Sequence, residues 1–448
     1  MGNTSEVYDT ASAYRAALQR RALVPRGFRF AVAATEFTPA ELGAEAQPLP
    51  IKLTAILAPA ASAAWAAVLT RNRVTGAPVE VVRGHRGRPV RGMVINNKVA
   101  NVCAAGGEAA ARNVLASVGD ALGVPGTELL PASTGVIGWQ LPVEALAAAA
   151  PELAANLGVS TAPEAAEAIM TTDAYPKLRS AVTPSGHRVL GIAKGAGMIE
   201  PDMGTMLAFI VTDAPATADE LQEELERAAR SSFNAITVDG DQSTSDMAVL
   251  LSSAEREPDA PRVAGLGAAV RQVCAALAGD IVRNGEGTRH VIEIAVTSRL
   301  PEADALAVAK AVGNGPLVKT AVYGNDPNVG RIAGAVGDYL GSRPDLGHIG
   351  ARDLTISLGD RQVFTAGAFT LGPALERDLS DYLVSCRCDS SGGFPPHDRV
   401  VRIGIRIDGA ERSAAAAGGA PERRPRTVRV LASDLGYEYV RENADYRS

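Results

Sequence analysis

The stretch EPDMGTMLAFIVTDA (Glu200–Ala214) joins two local structures that do not blend into one another. Pro201, Asp202 and Gly204 make its first third a turn, because proline fixes φ and glycine accepts conformations closed to other residues. From Met206 onward, Leu207, Phe209, Ile210 and Val211 form an almost unbroken apolar run. Such a run, bounded by turn residues, reads as a strand buried in a core. Thr205 sits at the junction, just after the glycine and downstream of a loop that has delivered Lys194.

A core able to bury that strand is available. The 448 residues exceed a usual single domain two- to three-fold, so two or more lobes are expected. Hydrophobic residues make up 46% but aromatics only 4%, so the cores rest on Ala, Val, Leu and Ile. A net charge of −6 with no basic face argues against a nucleic-acid partner. Cys103, Cys274, Cys386 and Cys388 are too few and too scattered for a disulfide scaffold, and free thiols are expected. The N-terminal stretch lacks the apolar region of a signal peptide, and no run of about 18 uncharged apolar residues is present. No membrane span is expected, and a cytoplasmic location is the default.

Strand and helix patterns alternate along the chain. Residues 1–24 read as a loose, partly helical leader. Gly27–Ala34 and Leu53–Ala60 are strand-like. A strand ending at Asn96-Asn97 is followed by a Gly-Gly turn and an alanine-rich helix that stops near Gly119–Gly123. The next unit repeats this plan: a strand, the small-residue turn Ser133-Thr134-Gly135, then a helix. A long helix is expected over 262–283, with Leu266, Val270, Val273, Leu277 and Ile281 on one stripe. HVIEIAVTS and RVVRIGIRIDG alternate as half-buried strands. Residues 413–426 are low in complexity and read as a mobile loop, within a C-terminal lobe of about 300–448. The pattern is α+β.

Common catalytic motifs are missing. There is no P-loop, no H-E-x-x-H and no G-x-S-x-G. GLGAAV (265–270) lacks the third glycine of a dinucleotide fingerprint and reads as core helix. Asp239–Asp246 lacks the glycine and glutamate of a calcium loop, which leaves a solvated or helix-capping loop. His85, His187 and His397 lie in loops and His290 begins a strand; their spacing does not say whether they meet.

A threonine can serve as a nucleophile without histidine if it becomes the first residue of a chain. Its α-amine, with a pKa of ~7.7–8.0, is then the base for its own hydroxyl. Making that terminus requires the hydroxyl to attack the preceding carbonyl, which a small residue such as Gly204 permits. By itself a Gly-Thr step entering a strand is usually just a turn. The surrounding residues decide: AKGAGMIEPDMGTMLAFIVTDA resembles the self-cleavage signature of the glutamate N-acetyltransferase (ornithine acetyltransferase) family. PASTGVIGWQLPVEAL, AIMTTDAYPK, SFNAITVDGDQSTSD, NGEGTRHVIEIAV, GPLVKTAVYGNDPNVGRI and the terminal NADYRS match family stretches in the same order, from about Pro25 to Ser448.

The resemblance implies an α+β layered sandwich of the ornithine acetyltransferase (DmpA/ArgJ-like) type, cut between Gly204 and Thr205. The α chain would be 25–204 after the leader and the β chain 205–448, assembled as α2β2. Thr205 would be the nucleophile, and Thr134 and Gly135 the oxyanion hole, a turn that serves equally as a helix N-cap. Thr171, Lys194, Thr205, Glu286, Asn443 and Ser448 would bind substrate. Lys194 suits an amino acid's carboxylate and Glu286 an ornithine-type ammonium. The implied reaction is ping-pong acetyl transfer from N-acetylornithine to glutamate, as in arginine biosynthesis, with no metal or organic cofactor required. The chain departs from the family pattern at NVCAAGG (101–107), Val329 and VLASDLGYEYV, where aromatic bulk is lost. Those departures leave open a specialised acyltransferase with another substrate, an N-terminal-nucleophile amidohydrolase or peptidase, and an uncleaved binding protein.

Overall fold

The alternation of apolar strands with alanine-rich helices yields an α+β structure, as expected. The computed structural model describes residue 8 and residues 10–43, 45–200, 206–387, 399–408 and 424–444. Two units emerge, one of Ala11–Asn234 with Asp241–Ile281, the other of Ala235–Gly240 with Val282–Ser448 and the first ten residues.

The first unit opens with helix α1 (Ala11–Arg21), which is not loose. Tyr14, Ala17 and Leu18 are buried, and the Tyr14 hydroxyl donates to the Pro176 carbonyl at 2.8 Å. A four-stranded sheet is ordered β1 (Arg29–Phe37), β2 (Leu49–Ser62), β4 (Val90–Asn96), β5 (Leu129–Ser133). The β4–β5 pair is parallel and the other two are antiparallel. Helices α3 (Gly107–Leu122) and α4 (Val143–Ala155) lay Val114, Leu115, Leu146 and Leu153 on Leu53, Ala55 and Leu57 of β2. Helix α3 is framed by left-handed glycines, Gly106 (φ 68°) before it and Gly123 (φ 69°) after it. Thr54, Ile56 and Ala58 on the other side of β2 are buried as well, so this sheet is covered on both faces. Short helix α2 (Ala77–Arg83) packs on β5 and α3. Helix α5 (Ala162–Ala168) starts with a Thr161–Glu164 capping box and packs on β1.

A five-stranded sheet is ordered β3 (Trp65–Leu69), β10 (Met247–Ser252), β8 (Leu207–Thr212), β7 (Arg188–Lys194), β6 (Lys177–Val182). Every residue of β8 and β10 is buried, and the two run parallel with Met247 opposite Leu207. Helix α6 (Ala218–Ser231) packs on β3. Helix α7 (Leu266–Arg283) starts later than expected, because Gly265 has φ +79° and interrupts the helical path.

The second unit holds a seven-stranded sheet ordered β14 (Ala368–Phe369), β13 (Arg361–Thr365), β12 (Leu354–Leu358), β15 (Val400–Ile407), β11 (Val291–Ser298), β16 (Arg426–Ser433), β9 (Ile236–Thr237). Helices α8 (Glu302–Asn314), α9 (Pro316–Tyr323), α10 (Val329–Gly341) and α11 (Pro373–Cys386) supply Val308, Val322, Ile332, Val336 and Leu379 to the core under Ile292, Ile294, Ile403 and Ile405. The alternating strands are half-buried as expected: Arg402 and Arg406 face outward while their neighbours are buried. Helix α12 (Tyr437–Ala444) closes the described chain. Most of the loop expected at 413–426 lies outside the described residues, although Arg426 opens β16. Cys103, Cys274 and Cys386 are free thiols, and burial pushes the Cys274 thiol up to about 12. Cys388 lies outside the described residues.

Gly92 in β4 shows how closely the first sheet is packed. A Cβ there would sit 2.3 Å from the Ile56 carbonyl oxygen of β2, a backbone atom that has no rotamer to escape into. Gly92→Ala is expected to lower stability by about 1–3 kcal/mol, measured as the midpoint shift in urea unfolding.

Candidate active site

At the end of β4 the chain must leave the sheet, and two asparagine amides organise the exit. Asn96 Nδ2 donates to the carbonyls of Asn97 (3.1 Å) and Val99 (2.8 Å), and its Oδ1 accepts from Ser133 Oγ at 2.6 Å. Asn97 Nδ2 reaches the carbonyls of Ala168 and Met170, both at 3.2 Å. Lys98, Asn101 and Cys103 all take positive φ (69°, 54° and 55°), so left-handed residues cluster in this loop.

The neighbouring strand ends against that loop. The Thr134 amide donates to the Asn96 carbonyl at 3.1 Å, and the Val136 amide to the Lys98 carbonyl at 2.8 Å. Between them Gly135 has φ +130°, and a Cβ there would lie 2.1 Å from the Lys98 carbonyl carbon. Only glycine fits. The turn does not cap a helix, since the N-cap of α4 is Pro142. Lys194, half-buried at the end of β7, donates from Nζ to Thr134 Oγ1 at 3.2 Å. With a lone pair of that oxygen engaged, the hydroxyl hydrogen of Thr134 is free to donate elsewhere. The Gly135 amide makes no hydrogen bond among the described residues. The turn therefore presents an O–H and an N–H donor beside a fixed ammonium, the inventory that stabilises a developing oxyanion.

Behind Lys194 is a charge pair that sequence reasoning missed. Asp173 Oδ1 accepts from the Gly195 amide at 2.7 Å and from Lys177 Nζ, while Oδ2 accepts from the Thr171 amide at 3.1 Å. Both charged side chains are fully enclosed. Burial pushes the Asp173 carboxyl up, but Lys177, Lys194 and the Gly195 amide outweigh it and hold it down at about 2. Asp173 and Lys177 stand four apart, the spacing of an exposed helical pair, so only their burial marks them.

The loop at 239–246 also differs from its reading as solvated or helix-capping. It leads into β10, and Thr244, Ser245 and Asp246 are buried. Burial drives the Asp246 carboxyl well above the usual carboxylate range, against the Met206 amide that donates to it and the nearby Lys194 charge. Among the described residues its Oδ2 has no partner.

In the second unit, Asn443 Nδ2 donates to Glu286 Oε2 at 2.7 Å and to the Tyr439 carbonyl at 3.0 Å. Glu286 is buried and Asn443 is exposed. Gly287, with φ +67°, lies so close to α12 that a Cβ would meet the Tyr439 nitrogen at 2.6 Å. The structure thus joins Thr134 to Lys194, links Thr171 to the residue after Lys194, and separately joins Glu286 to Asn443. Gly204, Thr205 and Ser448 lie outside the described residues. Three of the four described histidines serve local contacts: His290 bonds Asp434 and the Leu383 carbonyl, His187 lies beside Asp213, and His85 bonds the Pro89 carbonyl, while the buried His348 Nε2 has no partner among the described residues. His397 lies outside the described residues, and among the described residues no group of three potential metal ligands occurs.

The Asp246 environment fixes a pH dependence of stability. An unfolded carboxyl titrates near ~3.9, and the folded value is higher, so the folded chain holds the proton more tightly. The group's contribution is complete below the unfolded pKa and is lost as pH rises through the folded one. Asp246→Asn, neutral at every pH, is expected to gain thermal stability relative to the native chain as pH is raised from 4 to 8. Calorimetric midpoints across that range check it.

A model of the ArgJ family matches residues 51–448. The arginine biosynthesis bifunctional protein ArgJ of Nitratidesulfovibrio vulgaris is 39% identical over 432 residues, which is 95% of this chain and 99% of that protein. Its counterpart in Geobacter sulfurreducens is 37% identical over 407 residues, 88% of this chain and 94% of that protein. Among solved structures, ornithine acetyltransferase complexed with ornithine from Mycobacterium tuberculosis is 30% identical, covers 40% of this chain and 93% of that one, and gives a TM-score of 0.34. The match of the family model runs through the β4 exit, the Thr134–Lys194 pair and the Gly204–Thr205 junction to the last residue, and the chain belongs to the ArgJ family.

Proposed function

We propose that the chain moves an acetyl or related acyl group from an N-acyl amino acid, N-acetylornithine first among them, to the amine of glutamate. The acyl group is carried on Thr205 after cleavage between Gly204 and Thr205. The observation that carries this reading is the hydrogen bond from Lys194 to Thr134, which leaves the Thr134 hydroxyl and the Gly135 amide as donors side by side.

The chemistry follows from those groups. The free α-amine of Thr205 takes the proton of its own hydroxyl, and the oxygen attacks the acetyl carbonyl. Negative charge grows on the carbonyl oxygen, where two donors already in place stabilise it without reorganisation. Collapse expels ornithine, which takes up the proton, and leaves an acetyl-threonine ester. The amine of glutamate attacks that ester through the same oxyanion geometry and restores Thr205. An ammonium has three donors, so Lys194 can hold Thr134 with one and a substrate carboxylate with another. In this reading Glu286, held by Asn443, contacts the substrate's ammonium, and Ser448 and Thr171 complete the binding residues. The chains 1–204 and 205–448 stay together as α2β2.

Denaturing intact mass of fresh protein tests the cleavage. Two fragments meeting at Gly204 and Thr205 are expected, and Thr205→Ala is expected to remain whole and inactive; a native chain that stays whole overturns the mechanism. Lys194→Met is expected to lower kcat/KM for N-acetylornithine by about 10- to 100-fold, the loss of a charge-assisted hydrogen bond. Steady-state transfer to glutamate measures it. Acetate release at equal rate with and without glutamate would instead mark a hydrolase.

A further inference from the structure

We propose that Asp173 is a positioning residue that sets the distance between Thr171 and Lys194, and through it the preference for substrates bearing a carboxylate. The inference rests on Lys194 being the carboxylate-binding residue of the proposed function. Asp173 touches neither the Thr171 hydroxyl nor the Lys194 ammonium. It grips their backbones, with one oxygen on the Thr171 amide at 3.1 Å and the other on the Gly195 amide at 2.7 Å, one residue past Lys194.

The carboxylate is itself anchored. Lys177 opens β6 and pairs with Ala193 of β7, the residue before Lys194, so the ammonium on Asp173 rises from the strand beside the one that ends in Lys194. The Lys177 ammonium also lies 5.4 Å from the centre of the Tyr175 ring. Strand, loop and carboxylate close a short ring of contacts behind the Thr134–Lys194 hydrogen bond. A fully enclosed charge pair of this kind is a poor stability device, because apolar residues of equal volume often serve as well. What apolar residues cannot do is accept two amide hydrogens from two different segments. Asparagine cannot either, since its NH2 group meets one of the two amides donor to donor.

The test separates positioning from folding. In Asp173→Asn/Lys177→Met both charges are removed, so no lone buried charge remains. Three quantities are measured: the thermal midpoint, cleavage by intact mass, and steady-state transfer from N-acetylornithine and from N-acetylputrescine, the same donor without its carboxylate. The expected result is a cleaved protein with a midpoint near that of the native chain and kcat within about 3-fold. KM for N-acetylornithine rises about 10-fold or more, as for loss of a charge-assisted contact, and the preference over N-acetylputrescine falls towards one. A variant that keeps native KM and native preference overturns the proposal and leaves the pair a purely structural role. A native chain with no preference for the carboxylate-bearing donor overturns the Lys194 reading, and this one with it. If the double variant does not fold, Asp173→Ser/Lys177→Met, whose hydroxyl can hold only one of the two amides, is read by the same criteria.

Discussion

The parallel pairing of β8 with β10 is the constraint on which the first unit depends. All twelve residues of the two strands are buried, with Met247 opposite Leu207. A parallel pair buried on both faces cannot slide by one residue without reversing every side chain it packs. Its register therefore fixes where the strand following Thr205 begins. It also brings the Asp246 carboxyl to the Met206 amide, so that an acid sequestered from water stands at the first described residue after the junction.

The chemistry is assembled at strand ends. Lys194 ends β7, Ser133 ends β5 and Asn96 ends β4, each at the carboxyl end of its strand. Strand interiors supply rigidity, and the residues just past them are free to depart from the pleat while their positions stay fixed. Gly135 departs from it with φ +130°, and Lys98, Asn101 and Cys103 in the loop opposite accept left-handed backbone in turn. Strain concentrated in this way is held by surrounding hydrogen bonds, here those of Asn96 and Asn97.

Much of this arrangement was legible in the sequence. The strand after Thr205, the turn at Ser133-Thr134-Gly135 and the glycine-rich loop after Lys194 follow from local pattern and from resemblance to the family. The helix at 262–283 was placed four residues early, because the hydrophobic stripe says nothing about Gly265 having a positive φ. Asp173, Lys177 and Asp246 were not singled out for a physical reason. Charged residues four apart or at the end of an acidic loop are ordinarily solvated, and only the tertiary packing encloses them. Asn96 and Asn97 were seen as a strand end, but the carbonyls they hold come from the turn that follows and from a segment more than 70 residues further on.

The bonds that shape the Gly135 turn come from carboxamides, hydroxyls and backbone amides, none of which exchanges a proton in the physiological range. The carboxylate behind Lys194 titrates at about 2, far below it. The bonds of this turn thus keep their charge through that range, and the nearby groups whose titration is displaced toward it are buried ones: Asp246, pushed up, and Lys177, pushed down. A change of rate with pH in that interval therefore reports these buried groups as well as the reacting ones, while the hydrogen bonds that shape the turn stay the same.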